Sequence, residues 1–235
     1  MVIGNGLMAQ AFYRYMNDDD IFIFASGVSS SKFCTAYDCA REEALLRKSL
    51  DKCDDNILFV YFSSCSIASS NLVSDIYHTH KKKMEEIIQM NSKRYAIFRL
   101  PNVVGSVVNL DTLFYYLVDK VKRQEVFELW SGAKRNIIDI DDVVNIVNNI
   151  IDDNIFINEI TNVANLNDVT VDEIVYEIAK HLGADVKYSK IEYNDNYFID
   201  TTKVHPLFDR LGLNFNANYL ERIVKKYCGS LNLIK

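Results

Sequence analysis

A chain of 235 residues is long enough to bury a substantial core in one α/β domain carrying a smaller appended region. Its 49% hydrophobic share and even spread of charge exclude a disordered chain, and a net charge of -6 offers no electrostatic reason for a nucleic-acid or membrane partner. Five cysteines (Cys34, Cys39, Cys53, Cys65, Cys228) form no C-x-x-C pair and no metal-like spacing with the four histidines. The expectation is free thiols, no metal and a reducing, cytoplasmic setting. No apolar run approaches the ~18 residues of a membrane span, and the start lacks the basic and long apolar stretches of a signal peptide, so a soluble intracellular chain is expected.

The chain opens with VIGNGLMAQAF. Val2 and Ile3 end a strand, Gly4, Gly6 and Ala9 follow the G-x-G-x-x-A spacing, and Leu7 to Met16 is the predicted helix whose N-terminus would cradle a pyrophosphate. Asn17 to Asp20 reads as a solvated turn, and Ile21 to Ala25 (IFIFA) as a second buried strand followed by small residues from Ser26 to Ser31. Thr35 to Asp51 is a predicted surface helix, with Ala40, Ala44, Leu45 and Leu50 apolar and Arg41, Glu42, Glu43, Arg47 and Lys48 solvated.

Ile57 to Phe62 is a short apolar run rich in β-branched and aromatic residues, the mark of a buried strand, with Ser63 and Ser64 at its end. Beyond a loop, Tyr77 and Lys81 stand four apart in a segment whose apolar positions (Tyr77, Met84, Ile87, Ile88) have helical period, so both side chains share a face. A phenol titrates near ~10 when free, and an ammonium beside it favours the phenolate. Tyr77 is therefore the candidate general acid or base and Lys81 its tuner, with a serine hydroxyl placed to hydrogen-bond the same substrate oxygen. That spacing is also common where a tyrosine packs beside a solvated lysine, so context must decide.

Further along, Tyr95 to Phe98 predicts a strand running into Arg99-Leu100-Pro101-Asn102-Val103-Val104-Gly105, Leu113 to Lys122 a helix, and Phe127 to Trp130 a strand. Arg135-Asn136-Ile137-Ile138-Asp139-Ile140-Asp141-Asp142 precedes a helix with Val143, Val144, Val147, Ile150 and Ile151 as its buried stripe; Asp141 is the expected N-cap and Asp142 suits the dipole. Arg135 is a phosphate-binding candidate, because a guanidinium matches phosphate oxygens in pairs. Thr161 to Ala164, a helix through Val171, Ile174, Val175, Ile178 and Leu182, then Asp200 to Lys203 and Leu211-Gly212 complete the chain.

Taken together, the glycine turn, Ser64, Tyr77 with Lys81, R-L-P-N-x-x-G and R-N-x-I-x-I-D-D-V resemble the extended short-chain dehydrogenase/reductase superfamily, the NAD-dependent epimerase/dehydratase family that modifies nucleotide sugars. The likeness spans nearly the whole chain, with one departure. In a complete Rossmann half, about 20 residues separate the glycine turn from an acidic residue ending the second strand, whereas here Ile21 to Ala25 already looks like the fourth strand of that family. The expected fold is thus a Rossmann-like parallel sheet with helices on both faces, lacking the usual second and third strands, plus a small C-terminal substrate region. The boundary is expected near residue 105, with a shortened dinucleotide-binding core at 1–105 and the remaining sheet elements and substrate region at 106–235 of one compact unit.

The resemblance implies NAD or NADP held by Gly4, Gly6, Leu7, Met8, Ala25, Ser26, Gly27, Lys81 and Pro101. It implies catalysis by Ser64, Tyr77 and Lys81, and a nucleotide-sugar substrate met by Ser64, Ser66, Asn102 and Arg135, in a chain that could pair as a homodimer. Cys65-Ser66 stands where sugar dehydratases carry an acidic pair, which disfavours dehydration. An epimerase must retain its cofactor through a cycle and needs a deep adenine pocket, so a ketoreductase of surface-polysaccharide or deoxysugar synthesis is expected before an epimerase, and a non-catalytic nucleotide-sugar or dinucleotide-binding partner protein stands as the rival of another class. Without the acidic ribose ligand, Arg14, Lys32 or Arg41 are candidates to reach the adenosine side.

Overall fold

The computed structural model describes residues 1–28, 34–68, 75–193 and 197–230. In chain order its strands are β1 (Val2–Ile3), β2 (Ile21–Phe24), β3 (Leu58–Ser64), β4 (Tyr95–Leu100), β5 (Asn102–Val104), β6 (Phe127–Ser131), β7 (Lys134–Asp139), β8 (Glu159–Asn162), β9 (Asp168–Thr170) and β10 (Tyr188–Glu192). The α-helices are α1 (Leu7–Ala11), α2 (Ala36–Leu50), α3 (Ile76–Asn91), α4 (Leu113–Arg123), α5 (Ile140–Asp152), α6 (Val171–Leu182), α7 (His205–Arg210) and α8 (Tyr219–Tyr227).

Strands β1, β2, β3, β4 and β8 lie side by side in that order and every pair is parallel. Their sequences are apolar without alternation because both faces are covered. Phe22, Phe24, Phe59, Tyr61 and Ile97 pack with Leu46 and Leu50 of α2 and Met84, Ile87 and Ile88 of α3. Ile23, Val60, Phe62 and Phe98 point the other way, into a larger core shared with α1, α4, α5, α6 and α8. The expected Rossmann-like sheet without its second and third strands is the one observed: β1 is an edge, and among the described residues no strand lies outside it. Between Met16 and Ile21 there is room only for a turn, in which Asp18 Oδ1 accepts the Asp20 and Ile21 N–H groups.

Beyond β4 the chain builds two smaller sheets, β5-β7-β9 and β10-β6, braced by α4, α6 and α8. Helix starts follow local chemistry: Thr35 with Asp38 opens α2 and Thr170 with Glu173 opens α6, each as a reciprocal capping box. Several expectations shift. The helix predicted from Leu7 to Met16 ends at Ala11, and a 3-10 turn at Tyr13–Tyr15 replaces the rest, because Phe12 leaves helical geometry to bury its ring 5.0 Å from that of Phe62. Asp139, rather than Asp141, caps α5, its Oδ1 accepting the Asp141 N–H. Asn102 to Val104, expected as a turn, pairs with β7 as β5.

Candidate active site

At the carboxyl end of β1, Gly4 adopts φ +128°, and a Cβ there would lie 2.3 Å from the Ala25 carbonyl oxygen. Only glycine lets the chain turn this close to the end of β2. Gly6 starts α1 as its N-cap, and a Cβ on it would meet nothing within 4 Å. The turn is therefore tight on its protein side and open beside Gly6, a shape that fits a phosphate-bearing group approaching the backbone. Leu7 and Met8 follow in α1, while Ala25, Ser26 and Gly27 follow β2 opposite them.

The candidate catalytic residues lie on β3 and α3, with β2 standing between β3 and the glycine turn. Asp75 caps α3, its Oδ1 accepting the Tyr77 N–H at 3.2 Å, and Tyr77 is buried with its ring centre 5.9 Å from the Lys81 ammonium. Lys81 Nζ donates to Glu42 Oε1 at 3.1 Å and to the Tyr61 hydroxyl at 3.0 Å. Glu42 also accepts from Tyr61 at 2.8 Å and from the Val28 N–H at 2.7 Å, and its Oε2 lies 3.0 Å from His80 Nε2. Burial pushes this carboxyl up, yet the Lys81 charge and the hydrogen bonds from His80, Val28 and Tyr61 together hold it down to about 2. Burial and the neighbouring carboxylate raise the Tyr61 phenol well above its ordinary range, so it stays a donor.

Glu42 is 1% exposed, which corrects its expected place on a solvated face. The signal was present: Cys39, Glu42, Leu46 and Leu50 recur at helical spacing and form the buried stripe of α2. What made the charge tolerable there, Tyr61, His80 and Lys81, comes from distant stretches of sequence. Gly27 closes over this cluster, since a Cβ on it would sit 2.7 Å from Lys81 Nζ.

Ser64, at the carboxyl end of β3, places its Oγ 2.7 Å from Ser66 Oγ, which in turn lies 2.9 Å from Nε2 of buried His78. The Ser66 N–H donates to Ser64 Oγ at 3.3 Å, and His78 Nδ1 stands 3.4 Å from Asp75 Oδ2, an ion-pair separation. Ser64 and Ser66 thus meet the residue next to Tyr77, and Lys81 meets its ring. His78 was not singled out from the sequence, although a histidine beside the candidate tyrosine on a buried helix face was its sign.

The flanking candidates are placed as follows. Asn102 donates through Nδ2 to the Asn136 carbonyl and ties β5 to β7, and Pro101 joins β4 to β5. Arg99 makes a bidentate pair with Glu85 at 2.8 and 2.6 Å, and Glu85 also accepts from Ser63, which explains the arginine of the R-L-P-N turn structurally. Arg135 lies on β7, its Nη1 donating to the Lys134 carbonyl. Asp139 and Asp142 hold α8, through Tyr227 and Tyr219 respectively. Arg14 is paired with Asp152, Arg41 is exposed on α2, and Lys32 lies outside the described residues. Two cavities stand apart from Tyr77: one of about 350 Å³ bounded by Leu7, Gln10, Val107 and Ile140, and one of about 290 Å³ bounded by Asn165, Val169 and Tyr219.

A parallel sheet with a glycine turn after β1, Ser64 at the end of β3 and Tyr77 and Lys81 on α3 has the architecture of a Rossmann-like fold. The fold is similar to that of UDP-glucuronic acid 4-epimerase from Bacillus cereus, solved with UDP-glucuronic acid and NAD (TM-score 0.73, 14% identity, 92% of this chain and 76% of that one). It is also similar to RMD from Pseudomonas aeruginosa, solved with NADPH (TM-score 0.72, 12% identity, 90% and 80%). A third is dTDP-glucose 4,6-dehydratase from Bacillus anthracis, solved with NAD (TM-score 0.69, 14% identity, 94% and 75%). No family model matches the sequence, and no curated protein matches it.

Proposed function

We propose that this protein is an NAD(P)H-dependent ketoreductase acting on a nucleotide-activated keto-sugar. The observation that supports the reading is Tyr77 with Lys81 5.9 Å from its ring centre on the first turns of α3, and Ser64 at the carboxyl end of β3 linked through Ser66 to His78 beside Tyr77, in a fold shared with enzymes solved with NAD, NADPH and a UDP-sugar. The cofactor would supply the hydride. Gly4 and Gly6, with Leu7, Met8 and the Ala25 to Gly27 segment facing them, are the residues that would hold its pyrophosphate, and Lys81 and Pro101 would border its nicotinamide half.

Within the site, Ser64 hydrogen-bonds the substrate carbonyl oxygen, where negative charge develops, and Tyr77 delivers the proton to that oxygen. The Lys81 charge is offset by Glu42 at 3.1 Å. It therefore holds the pocket's geometry, with its ammonium 5.9 Å from the centre of the Tyr77 ring. Arg135 is assigned to the substrate's phosphates, with Ser66 and Asn102 bordering the sugar. The C-terminal elements after residue 105 would form the substrate side.

The test is to incubate purified protein with candidate nucleoside-diphosphate keto-sugars and NADPH or NADH, following loss of the reduced cofactor. Tyr77→Phe should lower turnover by about 100-fold or more with the fold intact by circular dichroism. Near-normal turnover of that variant would overturn the assignment. Interconversion of sugar epimers without net cofactor consumption would replace reduction by epimerisation, and dinucleotide binding without any turnover would make the chain a binding protein.

A further inference from the structure

Three polar side chains outside the Tyr77–Lys81 pair form a hydrogen-bonded line, Ser64 Oγ to Ser66 Oγ at 2.7 Å and Ser66 Oγ to His78 Nε2 at 2.9 Å, and a fourth, Asp75, places Oδ2 3.4 Å from His78 Nδ1, at ion-pair range rather than in a hydrogen bond. His78 is 5% exposed, so its imidazole meets little water and its partners decide where its protons sit. The Asp75 carboxylate facing Nδ1 favours a proton on that nitrogen. The direction of every hydrogen bond further along then depends on whether Nε2 carries one too.

With His78 neutral and protonated on Nδ1, Nε2 is an acceptor. Ser66 donates to it, and Ser64 donates to Ser66. In that arrangement Ser64 presents lone pairs, the wrong polarity for a substrate carbonyl. With His78 as imidazolium, Nε2–H donates to Ser66, and Ser66 donates to Ser64. Ser64 Oγ then accepts from both the hydroxyl and the N–H of Ser66, the latter at 3.3 Å, and its own hydrogen has to point elsewhere. A hydroxyl in that state is a donor for an external oxygen.

We propose that His78 is a positioning residue: held by Asp75 and acting through Ser66, its protonation sets whether Ser64 donates its hydrogen to the substrate oxygen. The inference rests on the reductase reading and adds to it a reason for two serines and a histidine in place of one serine. Among the described residues, the titratable groups placed against His78 are Asp75, at 3.4 Å, and Tyr77, whose ring meets it edge-on at 5.2 Å. Asp75 is the carboxylate of the two and, as the N-cap of α3, sits one turn before the imidazole.

Two kinds of measurement test this. In turnover, His78→Phe should lower kcat on the order of 10-fold with little change in KM, a part of the ~100-fold that loss of an oxyanion donor causes, and Ser66→Ala should lower kcat similarly while also raising KM through its lost contact with the sugar. Ser66→Thr should restore the rate. His78→Gln, which cannot titrate, should abolish the alkaline fall in kcat that follows His78 deprotonation. In nitrogen NMR of the full chain, Asp75→Asn, which still caps α3, should lower the His78 titration midpoint by about one unit, and Ser66→Ala should displace the Nε2 resonance. If Tyr77→Phe abolishes turnover while Ser66→Ala and His78→Gln leave rate and pH profile unchanged, the relay is wrong and the reductase stands. If no keto-sugar is reduced, the reductase fails, and the NMR result alone decides the relay: unmoved His78 signals in both variants overturn it.

Discussion

Two polar clusters share the first turns of α3, and they end differently. Glu42, Tyr61, His80 and Lys81 are all buried and bond to one another and to the Val28 backbone. Asp75, His78, Ser66 and Ser64 form a line whose last member is half-buried at a strand end. A closed network of charges fastens elements together, here the segment after β2, α2, β3 and α3. An open line delivers a hydrogen-bonding atom to a ligand. The difference predicts that breaking the first unfolds the protein, whereas breaking the second leaves a folded but impaired one.

The largest expected effect is on the closed cluster. Glu42→Ala strands the Lys81 ammonium without its counter-charge in a dry site and should destabilise the fold by about 3–5 kcal/mol in denaturant titration. Replacing both partners, Glu42→Met with Lys81→Met, should recover much of that, and a double variant as unstable as the single one would show that the pair does not account for the loss. Ser64→Ala, at the end of the open line, should leave stability within about 0.5 kcal/mol of wild type.

Acid sharpens the same contrast. Glu42 is held down to about 2 in the folded chain against ~4.3 for an ordinary glutamate. A carboxyl lowered on folding binds fewer protons in the native state, so its stabilisation is present above the unfolded value and is lost as pH falls from about 4.5 towards 2. Glu42→Gln should therefore be less stable than wild type at neutral pH but lose less of its remaining stability across that window. Parallel acid-unfolding curves for the two proteins would contradict it. The smallest effect is at the periphery: Arg135→Ala should raise KM for the nucleotide sugar by about 10-fold, close to 1.4 kcal/mol, with kcat little changed.

Sequence patterning made the main sheet legible because each buried strand is a continuous apolar run ending in small polar residues: IFIF before Ala25, LFVYF before Ser63. The shortfall of residues between Met16 and Ile21 likewise announced the absent strands. What escaped were features settled by partners far away in the chain. Glu42 looks solvated by residue type, and only its register on α2 and the arrival of Lys81 bury it. Asn102 looks like a turn residue, and only its pairing with β7, braced by its amide on the Asn136 carbonyl, makes it the start of β5. The three-residue strands β5 and β9 are too short for a period to show, and β10 is exposed along its whole length and so has no apolar face to read.

The edge position of β1 has a consequence for self-association. An open strand edge is a template on which another chain can pair, and a sheet lacking its outer strands would be expected to suffer from it. Here Gly4 turns the backbone away at φ +128° toward Ala25 directly after Val2 and Ile3, so the ladder of β1 stops at its carboxyl end. The glycine that tightens the turn before α1 thus also limits how far along that end a neighbouring strand could pair.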